Sequence, residues 1–352
     1  MGNPDVAFWQ SKRVLLTGHT GFKGAWLALW LQRLGATVRG FALPPDTAPS
    51  LCDAANVEHA CDSVRGDIRN SAGLRDALVQ FAPDIVLHLA AQALVRRGYD
   101  QPAATFATNV MGTVHLLDAA TAAPSVRAIV VVTSDKCYEN REWPWPYRET
   151  DTLGGHDPYS ASKACAELVA AAWRRSYPGP AIATVRAGNV IGGGDWAEGR
   201  LVPDCVRALG ADAPVPIRHP DAVRPWQHVL EPLCGYLLLA EHLWRDPLGA
   251  AEAWNFGPAA EDARPVRDVA DLVCRHWGQG ARWLQTGTQH PHEAWSLTVD
   301  AAKARARLGW QPRLGLAEAL EWTVRWYKQH AAGAPAQRLV ARDIDAYEAR
   351  AA

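Results

Sequence analysis

The chain has 352 residues, a formal net charge of −1, and 48% hydrophobic and 21% charged residues. This is ordinary globular composition, with length enough for a large buried core. The near-neutral balance argues against a basic nucleic-acid surface or an acidic tail.

No apolar run approaches the ~20 residues that a membrane helix needs. The opening stretch MGNPDVAFWQSKR lacks the apolar core of a signal peptide. Val6 stands where a myristoylation signal requires Ser or Thr. A cytoplasmic protein is expected. The seven cysteines are scattered, odd in number and without a C-x-x-C pair, which reads as reduced thiols. Twelve histidines include no H-E-x-x-H spacing, so no catalytic metal is expected.

In chain order, residues 13–17 (RVLLT) read as a short buried strand. Residues 18–24 are glycine-rich, and 25–34 place Trp26, Leu27, Trp30, Leu31 and Leu34 at helical spacing before Gly35. A strand follows at 37–43, a helix at 74–81, a strand at 85–89, a long helix at 106–122, a strand at 127–133, a helix at 159–176 and a strand at 182–186. Such alternation predicts βαβ units and a doubly wound parallel sheet of Rossmann type. After about Gly188 prolines and tryptophans break the pattern, with helices expected at 230–244, 266–277 and 316–329. The expected division is a nucleotide-binding domain over 1–188 and a mainly substrate-binding lobe over 189–335, with some segments returning to the sheet. A loosely attached tail, rich in Ala and Arg, is expected over 336–352.

Gly18-His19-Thr20-Gly21-Phe22-Lys23-Gly24 is a G-x-x-G-x-x-G element between a predicted strand and a predicted helix. Glycines permit the tight turn and close backbone approach, and the helix N-terminus offers free N–H groups to a pyrophosphate. His19 and Lys23 lie inside this loop, within reach of phosphate or ribose, or simply in solvent. Dinucleotide folds usually carry an acid at the end of the second strand for the ribose hydroxyls. None occurs over 37–43, where Arg39 is basic, so these residues leave NAD and NADP open. Asp67, in the loop Gly66-Asp67-Ile68-Arg69, is placed to accept from an adenine amino group, although an exposed loop acid needs no explanation.

Tyr159 and Lys163, four residues apart on a helix, share one face. A phenol titrates near ~10 and is a poor base at neutral pH. An adjacent ammonium lowers that value, so the tyrosine can take a proton from a hydroxyl while hydride leaves. Y-x-x-x-K alone is common, but here it follows a glycine loop and a strand ending Thr133-Ser134.

Together these residues resemble the extended short-chain dehydrogenase/reductase family. Its Ser/Thr, Tyr and Lys fall on Ser134 (with Thr133 the neighbouring candidate), Tyr159 and Lys163, and its helix asparagine on Asn109. Within the family, TGHTGFKG, HLAAQALVR, TNVMGT, TSDKCYENREW, DPYSASKACAELV, RAGNVIGGGDW, RLVPD and RPWQHVLEPL resemble the CDP-glucose 4,6-dehydratases. The likeness runs from about Phe8 to Gln329.

That resemblance implies tightly bound NAD, CDP-glucose or a related nucleotide sugar as substrate, and internal hydride transfer from carbon 4 to carbon 6. It also implies a place in deoxysugar synthesis for surface polysaccharides. The missing acid after the second strand is a family trait. The implied cofactor contacts are Gly18, His19, Gly21, Phe22, Lys23, Gly24, Asp67, Ile68, Leu89, Ala90, Ala91, Asn109, Tyr159 and Lys163. Asn189, Arg200 and Arg224 are the implied substrate contacts, Arg224 serving the pyrophosphate. The run Trp143-Pro144-Trp145 either walls the sugar pocket or is ordinary surface.

Related dehydratases follow the Ser/Thr with Asp-Glu, whereas this chain has Asp135-Lys136. Elimination of the 6-hydroxyl needs an acid, assigned to Asp135 with a pKa raised by burial. It also needs a base for the carbon-5 proton or a cation for the enolate, and Lys136 stands for either. The family also implies a homodimer or homotetramer built on helices 106–122 and 159–176, with Ala164, Ala166, Ala170, Ala171 and Ala172 facing the symmetry mate or their own sheet. An epimerase or reductase of the same fold is the alternative, without need of Asp135-Lys136. A non-catalytic dinucleotide sensor is more remote, since it could discard Tyr159 or Lys163.

Overall fold

The computed structural model describes residues 2–287 and 294–351. Its strands are β1 (Arg13–Thr17), β2 (Thr37–Ala42), β3 (Asp62–Arg65), β4 (Ile85–His88), β5 (Ala128–Val132), β6 (Ala181–Ala187), β7 (Asn189–Ile191), β8 (Val215–Ile217), β9 (Val223–His228), β10 (Ala253–Phe256), β11 (Ala263–Pro265) and β12 (Trp283–Gln285). Seven of them form one parallel sheet in the order β10-β6-β5-β4-β1-β2-β3. The chain winds outward from β1 through β2 to β3, then returns to β4 on the other side of β1. The crevice between β1 and β4, beyond their C-terminal ends, is the switch point where such sheets take ligands.

The Val/Ile/Leu runs of β4 and β5 are buried throughout because both faces of the sheet are covered. Side chains alternate between two cores, as the pleat requires. Val14, Leu16, Ile85, Leu87, Val130 and Val132 face the layer holding helices Phe22–Arg33 and Leu230–Arg245. Leu15, Val86, Ile129 and Val131 face the layer of Ser71–Phe81, Gly112–Thr121 and Pro158–Ser176. The smaller sheets, β11-β9-β7 and β12-β8, stand beside the main one.

Two expectations are corrected. The long helix begins earlier, at Pro102, and is interrupted by a π-helical turn over Ala107–Met111 that contains Asn109. The expected tail does not hang loosely over its helical part: Ala336–Glu348 is a helix that buries Leu339, Val340, Ile344 and Tyr347. Tyr347 donates to Glu231 at 2.7 Å, and the Trp30 indole donates to Glu348, also at 2.7 Å. Of the five alanines, Ala164, Ala166 and Ala170 are buried within their own chain, which fits the alternative of packing on their own sheet, and Ala172 is exposed.

Candidate active site

The glycine loop fits a pyrophosphate. Gly18 has φ +78°, and a Cβ there would stand 2.7 Å from the Ala90 nitrogen, so the loop lies directly on the end of β4. A Cβ on Gly24 would lie 2.0 Å from the Gly18 oxygen, which fixes the close loop–helix packing. Gly21 caps the helix without a side-chain acceptor, leaving the first-turn N–H groups of Phe22, Lys23 and Gly24 for an anion. Leu89 and Ala90 are held against β1 by bonds to the Thr17 carbonyl (3.1 Å) and Thr17 Oγ1 (3.2 Å), and half-buried Ala91 follows them.

The two polar loop residues do not lie in solvent. His19 is fully buried, its Nε2 bonded to Ser63 Oγ at 2.7 Å, and Ser63 donates onward to Glu58 at 2.8 Å. Burial, reinforced by Arg65, lowers its pKa to about 4, so the ring is neutral. Lys23 turns toward the catalytic residues, with its ammonium 5.8 Å from the Tyr236 ring centre. Burial first and Arg200 second push it down to about 8, while Asp135 opposes them. Asp67 is engaged by Arg69 at 2.5 Å and 2.8 Å. Ile68 packs where a Cβ on Gly112 would meet it at 2.5 Å. Asn109 is 2% exposed and acts as a clamp rather than an open contact. It accepts from Gln92 N (2.8 Å) and donates to Gln92 O (3.0 Å) and to Ser162 Oγ (2.8 Å), beside Lys163.

The catalytic helix starts where the sequence dictates: Asp157 caps it by accepting from Ser160 N at 2.9 Å, and Pro158 takes the first position. Tyr159 and Lys163 are thereby turned onto the end of β5. The neighbouring candidates Thr133 and Ser134 separate cleanly. Thr133 donates inward to Glu167 and to Val185 O at 3.1 Å, whereas Ser134 faces Tyr159 and pulls its pKa down. Contrary to the expected lowering by the adjacent ammonium, burial raises Tyr159 to about 12, only partly offset by Ser134. Burial, then the facing ammonium of Lys23, lowers Lys163 to about 7, and Lys163 donates to Val132 O at 3.1 Å.

Asp135 is 2% exposed, accepts from Ser134 Oγ at 3.0 Å through Oδ1, and has an unpartnered Oδ2. Burial holds its carboxyl above the ordinary range against the opposing pull of Lys136, Ser134 and Arg224. A raised carboxyl pKa favours the protonated form, as proton donation requires. Lys136 is half-buried next to it, its amide bonded to Ser134 Oγ at 3.2 Å.

Arg200 and Arg224 both reach this cluster. Arg200, bonded to Asp195 at 2.8 Å, lies within electrostatic range of Tyr159 and Lys23. Arg224 is 3% exposed, donates to Val223 O at 2.8 Å and acts on Asp135. Asn189 opens β7 in register with Trp226 and is half-buried. Trp143 and Trp145 form the outer end of a stacked column that continues through Tyr147 to buried Tyr138, at centroid spacings of 5.0–5.3 Å. Sequence reading missed Tyr236, whose buried hydroxyl is unpartnered and whose pKa is raised by burial first, then by Tyr159 and Asp135. Nothing in LCGYLLL marks it, since it reads as helix core. Among the described residues no three His, Cys, Asp or Glu side chains group as a metal site.

A glycine-cradled helix N-terminus at the switch point, facing a Ser–Tyr–Lys set, defines an extended short-chain dehydrogenase/reductase. The chain belongs to the GDP-mannose 4,6 dehydratase family, whose profile matches residues 15–323. It is 52% identical over 332 residues to the CDP-glucose 4,6-dehydratase of Salmonella typhimurium, covering 92% of each chain. Identity to the dTDP-glucose 4,6-dehydratase of Streptomyces antibioticus is 32% over 330 residues, covering 91% of this chain and 93% of that one.

Among solved structures, the dTDP-glucose 4,6-dehydratase DesIV from Streptomyces venezuelae, with NAD and TYD bound, superposes with a TM-score of 0.78 at 26% identity over 91% of this chain and 98% of that one. The epimerase Mth375 of Methanothermobacter thermautotrophicus shares the fold, with a TM-score of 0.81 at 23% identity over 93% and 95% of the two chains. The activity supported by these likenesses and the site together is nucleotide-sugar 4,6-dehydration.

Proposed function

We propose that the enzyme converts CDP-D-glucose to CDP-4-dehydro-6-deoxy-D-glucose and water, using bound NAD. The observation that carries the choice of substrate is the 52% identity, over 92% of the chain, to a CDP-glucose 4,6-dehydratase. When bound, NAD supplies the acceptor for hydride from carbon 4 and the donor that returns it to carbon 6. Tyr159 removes the 4-hydroxyl proton, with Ser134 beside its phenol and Lys163 one helical turn away. Asp135, whose pKa burial raises, delivers a proton to the departing 6-hydroxyl. Lys136 serves the carbon-5 proton or the enolate. Arg224 and Arg200 present cations to the diphosphate, with Asn189 beside them.

NAD is favoured over NADP because Arg39 is already engaged. It pairs with Asp62 at 2.6 Å and lies over the Phe81 ring at 4.9 Å, leaving it poorly placed for a 2′-phosphate. We also infer a homodimer or homotetramer acting in the cytoplasm. Phe106, Met111 and Leu168 are 37%, 46% and 58% exposed on the two helical segments expected to meet a symmetry mate. No helix among the described residues is long and apolar enough to cross a membrane.

The deciding experiment incubates the purified protein with CDP-, dTDP-, UDP- and GDP-linked hexoses and weighs the products. Loss of one water from CDP-glucose is expected. A product of unchanged mass would be an epimer and would overturn the proposal.

A further inference from the structure

We infer that Glu167 and Arg186 are positioning residues for the elimination step: one buried ion pair tethers both ends of the segment 134–137 that carries Asp135 and Lys136. This rests on the elimination role proposed for those two residues.

The pair is almost wholly removed from solvent, with Arg186 and Glu167 side chains 3% and 2% exposed. Arg186 grips the carboxylate with two nitrogens, Nε at 3.0 Å and Nη2 at 2.8 Å. The remaining acceptor capacity is filled by the hydroxyls of Thr184, at 2.6 Å, and Thr133. Burial alone would raise the Glu167 pKa; Arg186 and the two threonines overcome it and keep the group ionised. A buried ion pair is weak evidence for stability, because an apolar pair of the same volume is often as stable. Directional hold on its neighbours is what an apolar pair would lack.

That hold falls on both flanks of the catalytic segment. On one side, Thr133, immediately before Ser134, donates to Glu167. On the other, Tyr138, immediately after Cys137, accepts from Arg186 Nη1 at 2.8 Å and lies under the guanidinium at 4.8 Å. Tyr138 donates onward to Asn255 at 2.7 Å, and Asn255 holds the Tyr147 and Asp300 carbonyls at 3.0 Å and 3.1 Å. Glu167 is itself one helical turn beyond Lys163, so the catalytic helix and the elimination residues are referenced to the same carboxylate. Small misplacement of a reacting group is costly to rate, and Asp135 and Lys136 sit on a short turn outside the catalytic helix.

The test uses the NAD-loaded enzyme with CDP-glucose. Tyr138→Phe and Thr133→Val each cut one tether without leaving a buried charge, and Thr133→Ser keeps the hydroxyl. Each of the first two is expected to lower kcat by about tenfold with KM changed by less than about twofold. The steady-state fraction of reduced nicotinamide should rise, because oxidation persists while elimination lags. Amide hydrogen exchange should quicken over 134–138 and not over 158–176, and Thr133→Ser should restore the parent behaviour. Unchanged kcat in both variants, or a fall in kcat without more reduced nicotinamide, overturns the inference. Glu167→Gln should show the stronger form of the same partition; if it does not fold, the two neutral variants decide. An enzyme that yields no 4-keto product from any nucleotide-glucose defeats the proposed function instead, and the exchange measurement then still tests the tether.

Discussion

The imidazole of His19 fills the space that a side chain on Gly40 would need: a Cβ there would stand 2.4 Å from the ring's Cγ and 2.5 Å from Nδ1. A histidine in the cofactor loop and a glycine in β2 are therefore one packing unit. Gly40→Ala is expected to destabilise the protein by about 1–3 kcal/mol through overpacking and to weaken NAD binding by shifting the loop. Adding His19→Ala should recover most of the stability. Thermal melting of the single and double variants, with titration calorimetry against NAD, checks both; additive losses would refute the coupling.

Oxidation and elimination should come apart by mutation. Tyr159→Phe should abolish formation of reduced nicotinamide. Asp135→Asn should permit it while lowering 4-keto sugar formation by at least about 10²-fold, the usual worth of a general acid. Rapid mixing with absorbance detection, followed by mass analysis of the product, distinguishes the two. Carbon-4 deuterium should appear at carbon 6 in the parent enzyme, and an epimerase would return it to carbon 4.

Arg224→Ala should raise the KM for the nucleotide sugar strongly and change NAD affinity little. Truncating one partner of a desolvated charge pair typically costs ~2–5 kcal/mol. Steady-state kinetics set beside NAD titration would show this, and an unchanged KM would return Arg224 to the wall of β9.

Glu231 predicts a pH dependence of stability. It is fully buried, accepts from Arg313 N, Leu314 N and Tyr347 Oη, and burial raises its pKa to about 7 from 4.5. With the folded value above the unfolded one, its stabilising contribution is complete below pH 4.5 and is lost as pH rises through about 7. Glu231→Gln keeps an acceptor for the two amides and removes the ionisation. Its melting temperature should therefore vary less than the parent's across that window. Parallel slopes in a pH series of melts would contradict the assignment.

The alternation of Val/Ile/Leu runs with helical spacing was enough to place β1, β2, β4, β5 and β6 to within a residue or two, because both faces of those strands are apolar. What stayed hidden depended on side-chain direction. Adjacent Thr133 and Ser134 point to opposite sides of an extended chain, and only packing shows that Thr133 turns in to Glu167. His19 read as a loop residue within reach of phosphate or ribose or else in solvent, since nothing local announces that Gly40, twenty-one positions on, leaves it a hole. The closing helix was obscured by its Ala- and Arg-rich composition, although Leu339, Val340, Ile344 and Tyr347 lie on one face.

That closing helix has a consequence for synthesis on the ribosome. Trp30 and Arg33, on the helix that follows the cofactor loop, find their partners in Glu348 and Asp345, more than three hundred residues later. The first βαβ unit therefore emerges from the exit tunnel with an indole still uncovered, and stays so until nearly all of this sequence has been translated. Domains generally fold as units during synthesis, and transiently exposed apolar surface is where aggregation starts. This nascent chain is thus expected to be a client for chaperones that shield such surface, and truncation before residue 336 should shift it from soluble to aggregated product.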